Sequence, residues 1–189
     1  MRTSFLAALT ACLAAPAAAN EFRPALEAFL EADIRSWSHA DEIVEAVRAQ
    51  NAARAGMAEA EILALDAAWQ AEIGAAETPT IDPVLDNAAA DFLRGRVGAS
   101  GGRITEVFVV DALGLNVAAS AVTSDFWQGD EAKFTETFPN GAAGIHFSEV
   151  ELDESTQRYQ AQISLTIVDP DSGEPIGAMT VGVDAEALL

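Results

Sequence analysis

Between Tyr159 and Ile167 apolar and polar residues alternate without a break. Tyr159, Ala161, Ile163, Leu165 and Ile167 interleave with Gln160, Gln162, Ser164 and Thr166. That period of two belongs to a β-strand with one buried face. A lone strand cannot bury that face, so the surrounding sequence must supply a sheet. It offers four more strands, at residues 104–110, 115–120, 145–152 and 176–183. The segment 145–152 switches its apolar face between Phe147 and Val150, which predicts a bulge. Asp111-Ala112-Leu113-Gly114 joins the first two strands with Asp and Gly at the ends of a type I turn. Asp153-Glu154-Ser155-Thr156 and Asp169-Pro170-Asp171-Ser172-Gly173 read as the later turns. Residues 122–140 form a helical or irregular insert after the second strand.

The chain upstream of residue 103 is rich in Ala, Glu and Leu and has the helical period instead. Phe22, Leu26, Phe29, Leu30, Ile34 and Trp37 make one stripe, with Pro24 tolerated in the first turn. Asp41 is placed to cap a second helix that reaches Arg54 and ends at Gly56. A third helix spans 59–73, with Ile62, Leu65 and Trp69 apolar. A fourth starts at Asp82-Pro83, carries Val84, Leu85, Phe92 and Leu93, and closes at Ser100-Gly101-Gly102. The expectation is an α+β fold: N-terminal helices (20–102), then a five-stranded antiparallel meander (103–189) with a helical insert after the second strand. Helices would cover one sheet face.

Composition removes several functions. Thirty Asp and Glu against ten Lys and Arg give a net charge of −20, unsuited to a phosphate backbone or an anionic membrane surface. One Cys and two His leave no disulfide framework and little material for a metal site or a His-dependent triad. No Gly-rich phosphate loop and no nucleophile elbow is present, so no enzyme and no cofactor is expected. Residues 1–19 read as a signal peptide: a basic start, an apolar run from Phe5 to Ala15, and small residues ending at Ala19. That run is too short to span a bilayer. Leu9-Thr10-Ala11-Cys12 is the minor alternative, a lipoprotein site at Cys12. The expected location is the periplasm, with residues 20–189 as a single domain.

Val109 to Ser120 resembles the opening hairpin of Cache domains, the PAS-like extracytoplasmic sensor modules. Thr123-Ser124-Asp125-Phe126-Trp127-Gln128-Gly129-Asp130-Glu131 is similar to the insert that follows it in small periplasmic relatives. Val181 to Asp184 resembles the final strand. The stretch Trp37–Asn51, with Ile43, Val44, Val47, Gln50 and Asn51, and the string Leu65-Asp66-Ala67-Ala68-Trp69 resemble the helical half. The resemblance implies a PAS/Cache-like sheet and a small-molecule pocket between the insert and the exposed sheet face. Amino acids and carboxylates are frequent ligands of that family, whose usual setting is a chemoreceptor, histidine kinase or cyclase. The Arg-bearing aromatic motif of its amino-acid sensors is missing, and no transmembrane anchor or output domain is expected.

The candidate binding residues are Ser120, Asp125, Phe126, Trp127, Gln162, Ser164, Thr180 and Asp184. Phe126 and Trp127 beside Asp125 could wall a site for an amine-bearing ligand. They could equally be core, with Asp125 and Asp130 capping turns or helices. Gln162, Ser164 and Thr166, joined by Ser120 and Thr180, face either solvent or a pocket. Asp169, Asp171 and Glu174 do not match a calcium loop, and His39 and His146 have no partner at metal spacing. Two readings follow: a sensor binding an amine, amino acid or carboxylate and signalling to a membrane receptor or transporter, or a ligand-free scaffold. Nucleic acid and membrane insertion are not expected.

Overall fold

The computed structural model describes residues 22–153 and 158–189. The expected leader at 1–19, Cys12 and the turn at 154–156 lie outside the described residues. Helix α1 (Arg23–Ala32) buries Leu26, Phe29 and Leu30. It ends five residues earlier than its apolar stripe. Asp33 leaves the helical conformation and sends its carboxylate to Arg103 (3.0 Å). A 3₁₀ turn at Ile34–Ser36 then delivers Trp37 to the core, against Phe92.

Helix α2 (Asp41–Ala53) buries Ile43, Val44 and Val47. Its cap position is held by Ala40, with no side-chain bond, and Asp41 sits inside the first turn. There its charge favours the helix dipole. Helix α3 (Glu59–Glu72) buries Ile62 and Trp69. The expected fourth helix is two, α4 (Asp82–Leu85) and α5 (Ala88–Ala99). Asn87 divides them: its Oδ1 accepts from the amide of Ala90 (2.9 Å), capping α5, and its Nδ2 donates to the carbonyl of Val117 (3.1 Å).

Among the described residues six strands form one open antiparallel sheet: β1 (Ile104–Val110), β2 (Asn116–Ala119), β3 (Ile145–Phe147), β4 (Glu151–Asp153), β5 (Arg158–Val168) and β6 (Pro175–Asp184). The order is β2-β1-β6-β5-β3, with β4 also on β5. This corrects the meander, because the last strand lies between β1 and β5. The predicted strand at 145–152 is split where the bulge was expected. Ser148 makes the break: its amide donates to the carbonyl of Gln162 (2.9 Å) and its Oγ accepts from the amide of Gln162 (2.8 Å).

Helices cover both faces of the sheet, not one. On the first face α1, α2 and α5 bury Ile163, Leu165, Ile167, Met179, Val181 and Val183. On the second, Ile62 and Trp69 of α3 and Val84 of α4 join Phe108, Val110, Leu115, Phe126 and Phe134. Each large apolar side chain so buried contributes about 1.5–3 kcal/mol. The apolar members of the alternating β5 face the first layer. Its polar members face the second, where the insert lies.

Candidate functional site

The β1–β2 hairpin is organised by one buried carboxylate. Asp111 Oδ1 accepts from the amides of Leu113 (2.8 Å) and Leu115 (3.0 Å), and Oδ2 accepts from Gln50 Nε2 (2.8 Å). Gly114 supplies the positive φ of +79° that closes the turn. Asn51, the next residue of α2, accepts from the amide of Ala112 (2.9 Å) and donates to the carbonyl of Ile176 (2.7 Å). Helix α2 thus holds the hairpin against the start of β6.

The insert is pinned to this hairpin and to α3. It runs antiparallel to the turn end of β2. The amide of Asn116 donates to the Phe126 carbonyl (3.0 Å), and that of Gln128 to the Gly114 carbonyl (2.8 Å). From α3, Asp66 Oδ1 accepts from the amides of Phe126 (2.9 Å) and Trp127 (3.0 Å). Trp69 Nε1 donates to the Thr123 carbonyl (2.9 Å), and its ring stacks on Phe126 with centroids 5.3 Å apart. Phe126 is 1 % exposed. Trp127 is half-buried and donates from Nε1 to the Leu113 carbonyl (3.0 Å). Asp125 Oδ1 accepts from Gln70 Nε2 (2.9 Å). Gln128 Nε2 donates to the Asp125 carbonyl (2.8 Å). Asp130 caps nothing: the short helix α6 (Ala132–Thr135) starts after Glu131, without a side-chain cap.

Further along the same sheet face the polar row divides. Ser164 and Thr180 are buried and hydrogen-bonded to each other (3.0 Å). Helix α6 and the 3₁₀ turn Phe138–Asn140 lie against β5, with Phe134 stacked on Phe138. Beyond this aromatic cover the face opens into a depression of about 320 Å³. Glu106, Gln160 and Gln162 line it from the sheet, and Ser148, Glu149 and Glu151 from the β3–β4 edge. Gln162 Nε2 donates to Glu106 Oε1 (3.3 Å) across its floor.

The remaining candidates stand apart from both places. Ser120 Oγ accepts from the amide of Val107 (2.9 Å) at the end of β2. Asp184 is buried, pairs with Arg158 (2.5 Å), and accepts from the amides of Glu186 (3.1 Å) and Ala187 (3.2 Å). It therefore caps the C-terminal turn. The structure brings Asp125, Phe126 and Trp127 together at the hairpin end and Gln162 with Glu106 at the other. Ser164 and Thr180 lie between, paired with one another.

Asp169 and Asp171 both bind Arg48 of α2, and this guanidinium holds the Asp169 carboxyl well below the ordinary carboxylate range. His146 pairs with Glu136 (2.9 Å). Burial, helped by Arg35, lowers the pKa of His39. No group of metal-ligating side chains occurs among the described residues.

Sequence reading missed three residues that matter here: Asp66, Glu106 and Arg54. Asp66 lay inside a string noted only for resemblance. Glu106 follows a register shift in the β1–β6 pairing and faces Gln162 only because of it. Arg54 is the C-cap of α2, with its guanidinium 5.1 Å from the Phe126 ring centroid. Burial pulls its pKa below the usual guanidinium value, opposed by Asp111.

No family model and no curated protein matches the chain. Solved structures similar to it include the sensor domain of the V. cholerae histidine kinase DctB (17 % identity, TM-score 0.49, 88 % of this chain, 53 % of that one). Another is the ligand-binding domain of the Campylobacter jejuni chemoreceptor Tlp3 with 4-methylisoleucine (13 %, 0.41, 85 % and 64 %). A third is the ligand-binding domain of the Pseudomonas aeruginosa amino-acid chemoreceptor PctC with GABA (15 %, 0.39, 79 % and 60 %). The chain spans between about half and two thirds of the length of these neighbours. No helix among the described residues is long and apolar enough to cross a membrane. The architecture is a helical N-terminal half against an open antiparallel sheet with an insert after β2.

Proposed function

We propose that the protein is a non-enzymatic, extracytoplasmic small-molecule-binding sensor domain, exported to the periplasm by the leader at 1–19. It reports ligand state to a membrane receptor or transporter. The observation that carries this reading is the open depression on the insert side of the sheet, where the polar row emerges from its aromatic cover at Gln162 and Glu106. A pocket of a few hundred Å³ with convergent polar groups is the usual form of a small-ligand site. Glu106, Glu149 and Glu151 on its walls favour a ligand that brings an amine, an amine or amino acid over a simple carboxylate. Binding there would join β1, β5 and the β3–β4 edge, and so shift the population of arrangements at that edge.

A thermal-shift screen of amines, amino acids and carboxylates tests the proposal. A ligand at a hundred times its dissociation constant adds about 2.7 kcal/mol, roughly 5–10 °C for a domain of this size. Gln162→Leu should remove the response and leave the unliganded melt nearly unchanged. A flat panel would favour the second reading, the ligand-free scaffold. That reading draws on the Trp69–Phe126 stack and the Phe134–Phe138 cover, which fill the other half of the same face.

A further inference from the structure

Nine basic residues lie within the described part of the chain, and eight of them stand in ion pairs. Arg54 is the exception, in a protein with thirty acidic residues. Its backbone amide closes α2 on the Gln50 carbonyl (2.9 Å), and Gly56 turns the chain away with φ +78°. Its side chain reaches back over Phe126, where Nη1 is buried with no hydrogen-bond partner. A buried donor left unmade is costly, and most such donors in proteins find an acceptor.

The neighbouring acceptors are already engaged. Both oxygens of Asp111, the carboxylate whose charge acts on Arg54, are held by Gln50 and by the amides of Leu113 and Leu115. Asn51 is engaged at both ends, on Ala112 and Ile176. Beside the guanidinium lies an open cavity of about 270 Å³, walled by Asn51, Ala55, Gly56, Ala112 and Leu113. Arg54 is the one charged side chain on the wall of this cavity, and the other side chains there, Asn51 apart, are apolar or absent.

We propose that this cavity, between the C-terminus of α2 and the β1–β2 turn, is an anion subsite that takes a small monocarboxylate. The planar guanidinium fork matches a carboxylate with two parallel hydrogen bonds. A short aliphatic tail would lie on Ala55, Ala112 and Leu113. Asp111 nearby and the net charge of −20 disfavour a dianion, so a single negative charge suits the site better than phosphate. The subsite is separate from the depression at Gln162. Glu106 and Ala112 mark the two places, and the remainder of β1, about 14 Å of strand to Val110, and the start of the turn lie between them.

Acetate, propionate and butyrate are titrated into the protein at constant ionic strength, followed by calorimetry and by the melting temperature. Butyramide and inorganic phosphate serve as comparisons. Butyrate should bind and raise the melt, while butyramide and phosphate should not. Arg54→Met should weaken butyrate by roughly ten- to a hundredfold, the worth of a charge-assisted pair. Arg54→Lys, which keeps the charge and loses the fork, should fall between. Ala55→Leu should block the cavity with Arg54 intact, which separates loss of the site from loss of the fold. Gln162→Leu should leave butyrate binding unchanged, so failure here and failure at the other site are told apart. Equal responses to butyrate and butyramide, a preference for phosphate, undiminished binding by Arg54→Met, or no response to any carboxylate from a protein that melts cooperatively would each overturn the proposal.

Discussion

Replacing Phe126 by Ala should damage the fold far more than replacing its neighbour Trp127, although tryptophan is the larger residue. Phe126 is 1 % exposed and stacked on Trp69, itself fully buried. Truncating such a ring leaves a cavity that the Asp66 clamp and the β2 pairing on either side keep from collapsing. The cost is therefore that of a rigid core site, about 3–5 kcal/mol. Trp127 is half-buried, and its truncation loses one hydrogen bond to the Leu113 carbonyl and part of a hydrophobic contact. Those add to about 1–2 kcal/mol. Urea denaturation followed by circular dichroism measures both, provided the m-values match the parent. At roughly 2–4 °C per kcal/mol for a domain of this size, the two variants should melt several degrees apart. Equal costs, or a larger one for Trp127→Ala, would refute this account of the insert. Trp127 would then be the anchor, and Phe126 would be free to serve a ligand.

Asp66→Ala should cost about 2–3 kcal/mol, because it strips an ionised acceptor from two backbone amides at once, and Asp66→Asn about 1 kcal/mol; hydrogen exchange should show the amides of Phe126 and Trp127 deprotected in the Ala variant, and unchanged protection would count against the clamp. Gly114→Ala should destabilise by more than 1 kcal/mol in the same denaturation assay, since it adds a Cβ 2.5 Å from the Gly129 Cα at a φ of +79°; a neutral result would mean the hairpin and insert are less closely apposed. The Arg48–Asp169 pair makes a pH prediction. Its folded carboxyl pKa is depressed, so its stabilisation is present above the unfolded value near 3.9 and is lost as pH falls below it. The stability gap between the parent and Arg48→Met should therefore hold from pH 7 to 5 and close below pH 4, and a gap that stays constant to pH 2.5 would exclude the pair as its source.

Local periodicity made the elements legible. The alternation at 159–167 named both faces of β5, and the helical stripes found α1, α2 and α3 to within a few residues. Boundaries failed where a side chain took a distant partner. Asp33 ends α1 for Arg103, and Asn87 divides α4 from α5 while bonding the carbonyl of Val117. Strand order failed for a related reason. Adjacent strands are the default in a chain read locally, and only long-range packing places β6 between β1 and β5. The residues near the hairpin were visible as a string, Asp125-Phe126-Trp127, but not their division of labour. Whether an aromatic ring is wall or filling depends on what approaches from elsewhere, here Trp69 from 57 residues upstream.

Arg54 was invisible for a deeper reason. A sequence displays groups that could bind, whereas Arg54 is distinguished by the pairs it does not make. At the end of an amphipathic helix an arginine is ordinary, since it suits the negative end of the dipole. Thirty carboxylates make it the residue most expected to find a partner. Its lack of an ion pair results from where the acceptors went: Asp111 into its own hairpin and Gln50, Asp169 and Asp171 to Arg48 nearly two turns of helix earlier. Arg48 and Arg54 lie six residues apart on α2, far enough round the helix to face different surroundings. One meets the β5–β6 turn and is saturated. The other meets Phe126 and the β1–β2 turn, whose polar groups are already used. A guanidinium held over an aromatic ring beside an open cavity has lost part of its hydration without gaining an ion pair. An anion from solution can restore that balance, and the carboxylate titration measures whether one does.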